Sequence, residues 1–168
     1  MKKKNKTVAF LALCTTLALI LSYVEVLLPP IFPAVPGIKM GLANIVIVFL
    51  LYRRGTKSAL CVSLMRLILV SMLFSNLMAF LYSLAGALLS LLVMTLLYRM
   101  NILSQVGVSV AGAVAHNLGQ VLMAMLLLDT TELGYYMAVL TVTGTVAGIL
   151  VGLCGSILEK KIPEKLFK

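Results

Sequence analysis

Arg66, His116, Asn117 and Gln120 each stand inside a long apolar run. Polar side chains at membrane depth cost free energy unless they have partners or line a cavity. His116 is the only histidine, and it lies with Asn117 and Gln120 in GVSVAGAVAHNLGQVLMAM, residues 107–125. Glu25, Lys39 and Asn44 stand nearer the ends of apolar runs. A guanidinium binds anions, while an imidazole and two carboxamides hydrogen-bond in both directions. Positive charge and neutral donors dominate this set. It therefore fits a small anionic or strongly hydrogen-bonding molecule that enters from outside. A structural alternative stays open: a Glu25–Arg66 ion pair and a satisfied His116 account for the same residues without a ligand.

The signatures of several enzyme classes do not occur. There is no GxxxxGK[ST] loop for ATP and no HExxH zinc motif. Asp129 is the only aspartate, so no Asp-rich pair can hold Mg²⁺ on a diphosphate. Cys14, Cys61 and Cys154 lack metal-ligand spacing and read as small buried hydrophobes. The chain is therefore expected to be no enzyme by itself and to carry neither metal nor cofactor.

The elements that position these residues follow from composition. Hydrophobic residues make up 62% and charged residues 11%, against about 45–50% and 25% in soluble domains. That is the composition of a polytopic, all-α membrane protein. The net charge of +9 comes in short basic clusters between apolar runs, the pattern of cytoplasmic loops rather than of a nucleic-acid surface.

One domain over residues 1–168 is expected, with transmembrane helices at 8–28, 41–52, 56–74, 77–98, 104–128 and 134–157. The basic start MKKKNK followed by an apolar run reads as a retained first helix rather than a cleaved signal. Of fourteen Lys and Arg, all but Lys39 and Arg66 fall in segments assigned to the inner face, fourteen less two leaving twelve. By the positive-inside rule both termini lie in the cytoplasm, and the location is a bacterial cytoplasmic membrane.

The second helix is the odd one. Twelve residues at 1.5 Å each cover roughly 18 Å of a roughly 30 Å core. It either tilts with a sheltered outer end or starts part-way down. In the second case its N-terminus, beside Lys39 and Asn44, would favour an anion. The preceding PPIFPAVPGIK, residues 29–39, is too rich in proline for helix and reads as a lid over the outer mouth.

Small residues mark the helix contacts. Helix 1 carries Cys14, Ala18 and Ser22 on one ridge and Ala12 and Thr16 on a neighbouring one. These serve packing within the bundle or docking on another membrane subunit. Helix 5 has Gly107, Ala111, Ala115 and Gly119 beside Gly112, His116 and Gln120. Helix 6 has Gly144, Gly148 and Gly152, a doubled GxxxG whose partner is either internal or another chain.

PGIKMGLANIVIVFLLYRRG, MRLIL, FLYSLAGALLSLLVM and GAVAHNLGQVLMA together resemble the bacterial Gx transporter family, also labelled heptaprenyl diphosphate synthase component I. The resemblance covers roughly residues 9–157. It implies a six-helix bundle similar to the S components of energy-coupling-factor transporters. There a transmembrane coupling subunit and a pair of ATPases drive a substrate-binding subunit. The AxxxA docking motif of such helices would fall on Ala12 and Thr16, or on Cys14 and Ala18, and matches imperfectly. The turn around SMLFSN, residues 71–76, departs from the glycine-containing turn of the family.

Three readings follow. The first is a transport or substrate-binding subunit for a small anionic, isoprenoid or cofactor-related molecule. The second is a non-catalytic membrane component I that holds a soluble prenyl diphosphate synthase subunit. The third is a membrane subunit of a flavin- or quinone-based electron-transfer complex.

Overall fold

The computed structural model describes residues 2–27, 41–74 and 76–162, with side chains from residue 5 onward. The described residues form six α-helices: α1 Lys2–Leu27, α2 Asn44–Arg54, α3 Thr56–Phe74, α4 Leu77–Met100, α5 Gln105–Leu128 and α6 Met137–Lys161. A 3₁₀ turn at Glu132–Tyr136 leads into α6. Five of the helices are long and apolar enough to cross a membrane, as expected of a multi-pass membrane protein. The exception is α2, whose eleven residues cover about 16 Å.

Several boundaries differ from the sequence expectation for physical reasons. The basic start is itself helical, so α1 begins at Lys2. α2 starts three residues late, because Gly41 takes φ +75° in a turn through Ala43. α4 is capped at its start by Asn76, whose Oδ1 accepts from Ala79 N at 2.8 Å. It continues to Met100, where Asn101 at φ 53° ends it. α6 begins after the 3₁₀ turn and runs on to Lys161.

α2 is the centre of the bundle. All six residues from Val46 to Leu51 are buried, the mark of a helix enclosed on every side. The core around it takes residues from each of the other helices, among them Ala18, Val62, Met94, Val108 and Val151. α3 and α6 pack on α2, α5 lies between α4 and α6, and α1 rests mainly on α3.

One end of the bundle gathers the basic groups. Arg53 Nη2 donates to the carbonyls of Glu159, at 3.0 Å, and of Ile162, tying α2 to the end of α6. Arg54 lies 5.7 Å over the Phe10 ring of α1. Tyr52 meets Tyr98 of α4 edge to face at 4.8 Å. At the opposite end Tyr23 of α1 packs on Phe74 of α3 at 5.0 Å.

Glycines set the helix spacing around α5. A Cβ at Gly148 would stand 2.6 Å from Val110 Cα, and one at Gly152 would stand 2.8 Å from Val106 Cα. The doubled GxxxG of α6 is thus spent inside the chain, on α5. On the other side of α5, a Cβ at Gly119 would meet Ala85 O at 2.8 Å. Both approaches are backbone against backbone, so only glycine fits.

Candidate functional site

A groove of about 340 Å³ runs between the start of α2, the middle of α5 and one face of α6. That is within the range of small-molecule sites. Its α6 wall uses positions 142, 143, 144, 146, 147, 150, 151 and 154, one broad helical face. Polar groups collect where this face meets α2 and α5: Asn44, His116, Asn117 and Thr143. The rest of the wall is mainly apolar, with Ile45, Val146, Leu150 and Val151.

Asn117 has a double position. It is buried, and its Nδ2 donates to Leu140 O of α6 at 2.8 Å. Its amide nitrogen therefore holds α6, while its carbonyl oxygen keeps its acceptor capacity for the groove. Thr143 donates to the carbonyl of Val139 at 3.0 Å and shares Leu140 O at 3.3 Å. Its hydroxyl proton is committed within α6. His116 lines the groove and also backs onto α4, where a Cβ at Gly86 would lie 3.2 Å from its Cε1.

Asn44 lines a second, inner cavity of about 20 Å³ together with Ser90 and Ser109. A space of that size admits about one water. Ser109 Oγ is buried there without a hydrogen-bond partner among the described residues.

Arg66 and Glu25 lie elsewhere. Arg66 is 8% exposed and Glu25 is 9% exposed. Arg66 Nη1 donates to Ser22 Oγ of α1 at 3.1 Å, and Glu25 is the acidic group whose charge reaches it. Glu25 Oε1 also accepts from the backbone N–H of Leu42 at 2.6 Å. The negative charge beside the start of α2 is thus the chain's own. The following amides of Asn44, Ile45 and Val46 turn back on the carbonyls of Gly41, Leu42 and Ala43, so the first turn of α2 is largely satisfied internally.

The sequence-predicted residues therefore separate. Asn44, His116 and Asn117 come together in the groove. Arg66 and Glu25 form a buried cluster with Ser22 between α1, α3 and the turn before α2. Gln120 faces α4, where a Cβ at Gly86 would stand 2.8 Å from its Cγ. Lys39 and the loop 29–39 lie outside the described residues. Of the small-residue ridges on α1, Cys14 and Ala18 are buried, while Ala12 and Thr16 are exposed. No group of three or more His, Cys, Asp or Glu able to hold a metal occurs among the described residues.

The α6 wall was not singled out in the sequence. Val146 and Leu150 look like any lipid-facing positions. Thr143 carried the one available signal, a polar residue immediately before the first glycine of the GxxxG stripe.

The sequence model of a family described as heptaprenyl diphosphate synthase component I matches residues 14–158. Neither a curated protein nor a solved structure matches the chain. The match spans most of the sequence and includes α2, α5 and α6 with the groove between them. The chain belongs to the heptaprenyl diphosphate synthase component I family.

Proposed function

We propose that this chain is a membrane substrate-binding or transport subunit, and that the groove between α2, α5 and α6 is its ligand site. The observation that carries the reading is the groove itself: about 340 Å³, mainly apolar, with Asn44, His116 and Asn117 in its lining. Asn44, His116 and Asn117 contact the ligand. Arg66 and Glu25 fix the position of α2, and Gln120 serves the α4–α5 contact.

In this reading the six helices form an S-component-like bundle with both termini on the cytoplasmic side of a bacterial membrane. Five helices span, and α2 reaches part-way. The chain does not hydrolyse ATP, and a coupling subunit with ATPases supplies the energy. Its docking face on α1 is the exposed ridge of Ala12 and Thr16, because Cys14 and Ala18 are occupied in the core.

A second reading rests on the family match. Here the chain is the non-catalytic membrane component of a prenyl diphosphate synthase, and the basic end around Arg53, Arg54 and Lys160 receives a soluble subunit. The electron-transfer reading loses its structural motive, since the GxxxG face that would dock a partner is filled by α5.

Affinity purification in mild detergent, with proteins and small molecules identified by mass spectrometry, separates these readings. Recovery of a coupling subunit with ATPases is the expected result. Recovery of a prenyl diphosphate synthase alone, with synthase activity that depends on this chain, would overturn the transport reading.

A further inference from the structure

We infer that the groove takes an amphipathic molecule with one apolar tail and an uncharged, hydrogen-bonding head, admitted sideways from the bilayer. The inference rests on the groove being the ligand site and adds the ligand's chemical class and orientation.

The groove is graded along its length. Asn117 and Thr143 stand at one end, while Asn44 lies further along, against Ala147 and Val151. From Val142 to Cys154 the α6 wall covers twelve residue steps, about 18 Å of helix. Beyond Thr143 that wall carries only apolar side chains, glycine and the Cys154 thiol. A molecule that matches this gradient has a polar head beside Asn117 and a tail running toward the basic end of the bundle.

The head is uncharged for two independent reasons. No Lys or Arg lines the groove among the described residues, and an unpaired charge in an apolar site at membrane depth is costly. The helix end that would otherwise favour an anion is already taken, since the Leu42 N–H donates to the Glu25 carboxylate. A diphosphate, which needs cations or metal around its oxygens, finds only the His116 imidazole among these residues. A hydroxyl head donates to the Asn117 carbonyl oxygen.

The open side faces lipid. Val142, Val146 and Leu150 line the groove and are nevertheless 65%, 56% and 56% exposed. Cys154, at the far end, is exposed as well. On a spanning helix such residues meet hydrocarbon, so a tail passes from bilayer to groove without entering water.

Cys154 supplies the test, with exposed Cys61 on α3 as an internal control. The full chain in lipid nanodiscs is treated with a maleimide, and adducts at each cysteine are timed by mass spectrometry. The probes are farnesol, farnesyl diphosphate and the short alcohol isoprenol. Only the unoccupied fraction reacts, so farnesol at about ten times its Kd should slow Cys154 about tenfold and leave Cys61 unchanged. Farnesyl diphosphate and isoprenol should give little protection.

Protection by the diphosphate but not by farnesol would overturn the uncharged head while leaving the groove as the site. Equal protection by isoprenol would overturn the role of the tail. Protection by none of the three would overturn the inference and the groove reading together.

Discussion

The Glu25 carboxylate at the end of α1 accepts a hydrogen bond from the backbone N–H of Leu42 at 2.6 Å, immediately before α2. This bond fixes the start of the short central helix, and Arg66 balances its charge from α3. Leu42 also lines the groove. The Glu25–Arg66 cluster is therefore the frame that holds one wall of the site.

The first prediction concerns that frame. Removing one partner of a buried charged pair costs about 3–5 kcal/mol, so Glu25→Ala should strongly lower the thermal midpoint of the detergent-solubilised protein. Glu25→Gln keeps an acceptor for Leu42 N–H and should lose less. Glu25→Leu combined with Arg66→Leu should be more stable than either single change. If the double variant is the least stable of the three, the two side chains do not act as a pair.

Asn117 and Gly144 should be coupled. A Cβ at Gly144 would stand 2.7 Å from Asn117 Nδ2, whereas its next neighbour, Ala113 O, is at 3.5 Å. Gly144→Ala should thus cost about 1–3 kcal/mol by overpacking, and much less in an Asn117→Ala background. The coupling energy in this double-mutant cycle should lie within about 0.5–3 kcal/mol. Strict additivity in unfolding measurements would contradict the contact.

The glycines should differ by what they face. Gly148→Ala places a methyl 2.6 Å from the Val110 backbone, and backbone cannot give way cheaply. Gly107→Ala meets only the Leu103 side chain, at 3.2 Å. Expression and thermal unfolding should show Gly148→Ala destabilised by about 1–3 kcal/mol or more. Gly107→Ala should stay near wild type, helped by up to about 1 kcal/mol of helix propensity.

Much of the architecture was legible before folding. Helix ends carried their own signals, such as Asn76, which caps α4. Arg66 was recognisable as a residue that needs a partner, and Glu25 was one of the partners in view. The division of the polar residues was not legible. His116 and Asn117 are sequence neighbours, yet on a helix they point about 100° apart, so Asn117 reaches α6 while His116 backs onto α4. Which neighbour lies on which side depends on helix order. In helices apolar all round, lipid-facing and core-facing residues look alike. For the same reason Val146 and Leu150 gave no sign that they wall a site, and the partner of the α6 glycines could not be identified until α5 was seen against them.

Filling the groove should abolish its use without harming the fold. Leu150 is 56% exposed, so Leu150→Trp should change stability by no more than about 0.5 kcal/mol, as surface substitutions usually do. The indole would occupy the tail end. Farnesol binding, measured by tryptophan-independent calorimetry, should weaken about tenfold or more, equivalent to about 1.4 kcal/mol. Undiminished binding with an intact fold would place the ligand elsewhere.

The most direct measurement is photo-crosslinking with a benzophenone-bearing prenyl alcohol in nanodiscs, with the adducts mapped by mass spectrometry. The account predicts adducts concentrated on residues 142–154 of α6 and on the start of α2 around Leu42 and Ile45, lost on competition with farnesol. Adducts centred on Arg66 and Ser22, or spread evenly over the lipid-facing surfaces of all helices, would contradict it.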